Sequence, residues 1–287
     1  MIPAPFDYAR AASLDEALEL VAGADPSIRV LAGGQSLIPL MKLRLARPER
    51  LIDLGRLPEL RGVRVRPDGG ITIGALTTWA DLLADARVRA YGVLADAIPE
   101  IGDTQVRNLG TIGGSLVHAD PASDIAAPAL VLDVELVARS KARGERTVRA
   151  SELFVGPFAT TLEPDEILIE VRLPGPQDDT GSAYRALPQQ ASGYPIAGVA
   201  VVVTRAAAGG QGFSRCQIGV TGVGDRPYRA TDVEQAVLDG APWAEAITAI
   251  TAGQRIGADI HADRDYRAAM AVVMARRAFE AALARIA

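Results

Sequence analysis

Pro174 to Gly181 reads Pro-Gly-Pro-Gln-Asp-Asp-Thr-Gly. Proline fixes φ and lacks an amide donor, while glycine and aspartate favour turns, so neither a helix nor an interior strand runs through this segment. The chain is divided there. Its 287 residues suit about two domains at a typical ~150 residues each. We expect an N-terminal domain over 1–176 and a C-terminal domain over 177–287.

Hydrophobic periodicity predicts mixed α and β structure on both sides. Ser13-Leu14-Asp15-Glu16 has the pattern of a capping box and predicts a helix over 13–22. Short strands are expected at 29–31, 51–54 and 71–74, with a helix over 36–45 between the first two. Helices are expected near 78–83 and 87–98, and from Ser123 or Asp124 through Leu132. Strands are expected at 134–138, 167–173, 196–204 and 215–221. Helices near 230–239, 242–256 and 264–285 close the chain, the last with Tyr266, Met270, Val273 and Met274 on one face. The stretch from Gly102 to Asp124 shows no sustained period and reads as a long loop, a class that is usually functional when its charge is low.

Composition excludes several functions. The apolar fraction of 49% supports a sizeable core, and the net charge of −5 argues against general nucleic-acid binding, which needs a basic face. Cys216 is the only cysteine and reads as a small buried hydrophobe. It leaves no intramolecular disulfide, zinc ribbon or self-contained four-cysteine iron–sulfur cluster. His118 and His261 are the only histidines, so no metal ligands are assigned. The longest apolar run, Ile196 to Val203, falls far short of the ~20 residues of a membrane span. The opening Met1 to Arg10 lacks the pattern of a secretory leader, and the chain is read as cytoplasmic.

Two glycine-rich segments carry the chemistry. Ala32-Gly33-Gly34-Gln35-Ser36 lies between an expected strand and helix. Glycines let a backbone approach a ligand, and successive free amides at a helix start attract anions. Gly110-Thr111-Ile112-Gly113-Gly114-Ser115 repeats the recipe. Together they point to one extended ligand with several phosphates, such as a dinucleotide. Asp120-Pro121-Ala122-Ser123-Asp124 follows, with Asp124 either a helix cap or an acceptor for ribose hydroxyls or a flavin ring N–H. No general base or nucleophile is assigned.

Gln105 to Ser115 resembles the second FAD signature of the molybdenum-hydroxylase flavoproteins, and Leu31 to Leu54 resembles the first. The opening Met1 to Leu20 is similar to the family's medium subunits of carbon monoxide dehydrogenase type. The resemblance implies an α+β chain. Its first domain would have the FAD-binding fold of the p-cresol methylhydroxylase and vanillyl-alcohol oxidase type, in two subdomains of about 1–55 and 56–176. Its second would be a small C-terminal antiparallel sheet with helices. It implies FAD as cofactor, held by Ala32, Gly33, Gly34, Gln35 and Ser36, by Thr111, Ile112, Gly113, Gly114 and Ser115, and by Asp124, Leu168 and Tyr194. It also implies partners: a large molybdopterin-binding subunit and a small subunit with [2Fe–2S] clusters, in a dimer of heterotrimers. Electrons would pass from the clusters through FAD to an external acceptor. The alternative is an autonomous FAD-dependent oxidoreductase with its own small substrate. One departure stands out. Ala186, Gln189 and Gly193 occupy positions where many relatives carry Lys, a basic residue and Asp, so a cation that would stabilise reduced flavin is missing.

Overall fold

The computed structural model describes residues 2–23, 25–206 and 212–286. They form an α+β fold on three main sheets. The first is parallel, in the order Asp7–Arg10, Arg50–Asp53, Ile28–Leu31. Parallel strands require crossovers, and helix Leu14–Val21 supplies one. Ser13 caps it by accepting from the Glu16 amide (3.1 Å), and Glu16 turns back to accept from the Ala12 amide (2.7 Å). The helix buries Ala17, Leu18 and Val21 in a core shared with Ile52 and Leu54.

The second sheet is antiparallel, in the order Val63–Val65, Ile71–Gly74, Ile167–Leu173, Glu135–Ser140, Gly144–Arg149. The segment between Gly74 and Glu135 is helical: Trp79–Ala84, Ala86–Arg89, Gly92–Glu100, Thr104–Leu109, Ile112–His118 and Ala126–Val131. A short hairpin pairs Phe154–Gly156 with Ala159–Thr160.

The third sheet is antiparallel, in the order Thr180–Pro188, Pro195–Arg205, Phe213–Thr221, Tyr228–Arg229. Both faces are covered. Tyr184, Ala200 and Val202 join the core around helices Gly92–Glu100 and Ala126–Val131. Val199, Val201 and Val203 pack on the other side with helix Arg264–Leu283. A strand buried on both faces carries an unbroken apolar run instead of an alternating one, which explains Ile196 to Val203. On that second side Phe279 stacks on Trp243 (centroids 4.7 Å apart) and meets Phe213 edge-on (5.9 Å). Cys216 is buried in the same core, where burial pushes its thiol up to about 12.

Several sequence expectations are corrected. The stretch 102–124 is not one loop: it holds helices Thr104–Leu109 and Ile112–His118, capped by Asp103 and Thr111. Helices of six and seven residues are too short for a period to register. The helix over 87–98 is two, divided at Ala90 and Tyr91. The helix over 36–45 covers only Leu37–Lys42, and Arg44 at φ +60° breaks it. The helix over 242–256 is α-helical only at Trp243–Ala246, continuing as a 3-10 turn over Ile247–Ala249. In helix Arg264–Leu283 the buried stripe is Ala271, Met274, Ala275, Ala278, Phe279 and Ala282, while Tyr266 is exposed. Alanine lets the helix sit close on the sheet, and a reading by large side chains misses it. Strands Asp7–Arg10, Val63–Val65, Gly144–Arg149 and Thr180–Pro188 were not expected. Gly144–Arg149 buries only Val148 and so shows no apolar pattern.

Candidate functional site: a two-lobed cavity between glycine loops

The two glycine segments lie against each other. A Cβ on Gly33 would run into the Leu109 carbonyl and the Gly110 Cα, so glycine is what lets these backbones touch. Gly113 does the same against the end of strand Ile71–Gly74, where a Cβ would lie 2.7 Å from the Ala75 carbonyl oxygen. Gly34 takes φ +72°, in the left-handed region that favours glycine.

The loops differ in what they offer a ligand. The backbone amides of Ala32, Gly33, Gly34, Gln35 and Ser36 have no acceptor among the described residues. Ser36 precedes helix Leu37–Lys42 without a side-chain capping bond, and its hydroxyl faces the Tyr194 phenol. In the second loop the amides from Ile112 onward are spent on the fold, and only that of Thr111 has no acceptor among the described residues. Ile112 donates to the Thr77 carbonyl (3.1 Å), Gly113 to Ala75 (2.9 Å), Gly114 to the Thr111 hydroxyl (3.1 Å) and Ser115 to the Thr111 carbonyl (3.1 Å). The expectation of free amides in both loops therefore holds across the first loop and, in the second, for Thr111 alone. The second loop's glycines bring the walls together.

A cavity of about 600 Å³ opens beside the loops, and a second of about 190 Å³ adjoins it. Gln35, Ser36, Gly110, Ser115 and His118 line both, so the end of the first loop stands at the waist, while Ala32, Gly33 and Gly34 line the larger lobe. The larger lobe is walled by apolar side chains including Leu31, Leu76 and Leu168. The smaller is lined by Trp79, Asp120, Asp124 and Tyr194 among others. All thirteen residues singled out from the sequence except Ile112 line one lobe or the other. Ile112 is buried in the core behind the loop.

Asp124 is the buried acid of the smaller lobe. Its Oδ1 accepts from the Tyr184 hydroxyl at 2.7 Å. Burial pushes its carboxyl up to about 7, against the lowering effect of the Tyr184 hydrogen bond and with Glu100 and Asp120 adding to the rise. Asp124 does not cap helix Ala126–Val131, whose N-terminal position is Ile125. Tyr194 sits half-exposed on a turn that Gln189 clasps: the Gln189 Oε1 accepts from the Ser192 amide (2.6 Å) and hydroxyl (2.7 Å). Arg185 points away from the lobe to Asp96 (2.7 Å), and Ala186 packs on the core. Among the described residues lining the smaller lobe there is no Lys or Arg.

Sequence reasoning missed Tyr184, His118 and Phe158. Tyr184 comes from the third sheet and reaches Asp124 across 60 positions, a pairing no local pattern announces. Its phenol lies over Gly198, where a Cβ would collide with the hydroxyl. His118 lines both lobes against the Phe158 ring (5.2 Å), and burial lowers its pKa against the opposing pull of Asp120.

This shape fits a dinucleotide: two compartments for two bulky ends, and a row of uncommitted amides between them for the anionic link. Residues 4–176 match the family described as the FAD binding domain in molybdopterin dehydrogenase, and residues 182–282 match the CO dehydrogenase flavoprotein C-terminal domain. The chain is 38% identical over 292 residues to the carbon monoxide dehydrogenase medium chain of Hydrogenophaga pseudoflava, covering 100% of both. It is 35% identical to the 6-hydroxypseudooxynicotine dehydrogenase complex subunit alpha of Paenarthrobacter nicotinovorans, over 99% of this chain and 97% of that one. Its fold superposes on a solved carbon monoxide dehydrogenase chain from Hydrogenophaga pseudoflava with a TM-score of 0.93, at 40% identity and 100% coverage of both chains. The chain belongs to the FAD-binding medium subunits of the molybdenum hydroxylases and is an oxidoreductase subunit whose cofactor is FAD.

Proposed function

We propose that this chain is the electron-transfer subunit of a heterotrimeric molybdenum hydroxylase of carbon monoxide dehydrogenase type. Its partners are a large molybdopterin-binding subunit and a small [2Fe–2S] subunit, assembled as a dimer of heterotrimers, with an external molecule as final acceptor. The observation that carries this reading is the row of five uncommitted amides that runs along the larger lobe to its junction with the smaller one.

The residues divide the work of binding. The amides of Ala32 to Ser36 take the diphosphate, with the Ser36 and Ser115 hydroxyls as further donors. Gly33 and Gly113 hold the two walls at contact distance. Leu168 and its apolar neighbours surround the larger end, and Tyr194 covers the smaller lobe. FAD, when bound, supplies chemistry that links one-electron carriers to a two-electron acceptor. The chain's own part is to orient the flavin, exclude water and set the charge around it. Relatives named for different substrates match this chain over nearly its whole length, which supports a substrate site on another subunit.

The test is the visible absorption spectrum of the full chain purified with its co-purifying partners, before and after denaturation. About one FAD released per chain, with broad iron–sulfur absorption, is expected. Absence of flavin while the partners are present overturns the reading.

A further inference from the structure

We infer that Asp124 is the proton-carrying group of the smaller lobe, that FAD enters with this carboxyl protonated, and that Tyr184 is the positioning residue that sets where it titrates. The inference rests on the reading of the cavity as the FAD site.

Asp124 is held in place from behind. The Thr221 hydroxyl donates to the carbonyls of Pro121 (2.8 Å) and Ser123 (3.0 Å), and the Gly222 amide donates to Pro121 (2.8 Å). The turn before Asp124 is thus tied to the third sheet. The residue is 6% exposed, and the Tyr184 hydroxyl is its one side-chain donor among the described residues. The groups around it are acidic or neutral. Glu100 ends helix Gly92–Glu100, Asp120 stands on the same turn, and His118 and Tyr194 face the lobe. Arg107, next in sequence to the lobe-lining Val106, has its Nη1 turned to the carbonyls of Pro99, Ile101 and Gly102 (3.0 Å each).

A carboxyl so placed already resists ionisation, with burial holding it at about 7. Diphosphate at the adjoining waist adds further negative charge, and like charge disfavours ionisation again. The carboxyl's pKa is therefore higher in the complex than in the free protein. Binding then takes up a proton in the window between the two values. Affinity is constant below the free value and falls as pH rises through the window, by up to tenfold per unit for one proton. The Tyr184 O–H favours the ionised carboxylate, so its removal moves the window upward.

The experiment is titration of the FAD-depleted full chain with FAD, by flavin fluorescence, from about pH 6 to about pH 9, with proton uptake measured in weak buffer. FAD itself has no group titrating near neutrality. The wild-type dissociation constant is expected to rise with pH above about 7, with uptake of part of a proton. Asp124→Asn, which mimics the protonated acid, is expected to bind with a flat profile and no uptake. Tyr184→Phe shifts the rise to higher pH. His118→Gln is expected to keep the rise, because burial lowers the histidine's pKa in the FAD-free chain. A flat wild-type profile, or a rise that survives in Asp124→Asn, overturns the inference and leaves the FAD site standing. A Tyr184→Phe profile identical to wild type overturns the role of Tyr184. Failure to bind FAD at any pH overturns the FAD site and this inference with it.

Discussion

The Cα of Gly33 lies against the carbonyl of Leu109, and this backbone contact joins the two glycine loops into one wall. Gly33→Ala forces the loops apart, because the obstacle is backbone and has no rotamer to change. We expect a loss of about 1–3 kcal/mol of stability, typical of overpacking, together with at least tenfold weaker FAD binding. Gly156→Ala is the control: its new Cβ meets only the Ala159 Cβ, at 4.0 Å, and should change stability by less than ~0.5 kcal/mol. Thermal melting and FAD titration of both variants check this. Equal behaviour of the two would remove the packing role assigned to Gly33.

The contact also shows what the sequence could and could not convey. Both glycine loops are visible as local patterns, and so is the acid that follows them. The reason for each glycine is not local: Gly33 is required by Leu109, and Gly113 by Ala75. The same limit hides Tyr184, whose partner Asp124 stands on another element. Short helices such as Thr104–Leu109 lack the length to show a period, and the alanine stripe of Arg264–Leu283 lacks large side chains. Ser13, by contrast, acts through residues within one turn, and its cap reads directly, although Glu16 returns to the Ala12 amide and not to that of Ser13.

Phe279 sits on helix Arg264–Leu283 between the Trp243 and Phe213 rings and is fully buried. Phe279→Ala leaves a cavity beneath a stacked indole, and nearby alanines offer little to fill it. The expected cost is about 3–5 kcal/mol, measured by denaturant unfolding. Phe279→Leu should recover more than half of it. A loss below ~1 kcal/mol for the alanine variant would mean that this core collapses around the gap.

Asp96 on helix Gly92–Glu100 gathers three donors from the C-terminal part: Arg185 (2.7 Å), Arg285 (2.7 Å from each of two guanidinium nitrogens) and the Tyr184 amide (3.1 Å). Burial alone would raise its carboxyl, but these partners outweigh it and hold the pKa below the ordinary value. A carboxyl depressed on folding adds stability above its unfolded value of about 3.9, and loses it as pH falls through the folded value. Asp96→Asn should therefore lower the melting temperature at neutral pH, by an amount equivalent to about 1–2 kcal/mol for partly exposed charge-assisted bonds. The gap from wild type should narrow only below about pH 4, where the carboxyl of the unfolded chain begins to protonate ahead of the folded one. A gap independent of pH down to about 2 would assign the effect to packing.

Tyr194 owes its position to the turn beneath it. Gln189 accepts from Ser192 twice, the Gly193 amide donates to the Gln189 carbonyl (2.8 Å), and Gly193 takes φ +78°. The turn has no other role in the core, so loosening it should act on the smaller lobe alone. Tyr194→Ala removes an aromatic face worth about 1 kcal/mol, which is about fivefold in FAD affinity, and should raise the fluorescence of bound flavin. Gln189→Ala should give a smaller change in the same direction, with the melting temperature of the FAD-free chain unaltered in both. Tyr194→Phe separates ring from hydroxyl: full recovery of affinity and quenching assigns the effect to the ring. Recovery of neither would place the hydroxyl in contact with the cofactor and give the Gln189 clasp the task of aiming that hydroxyl.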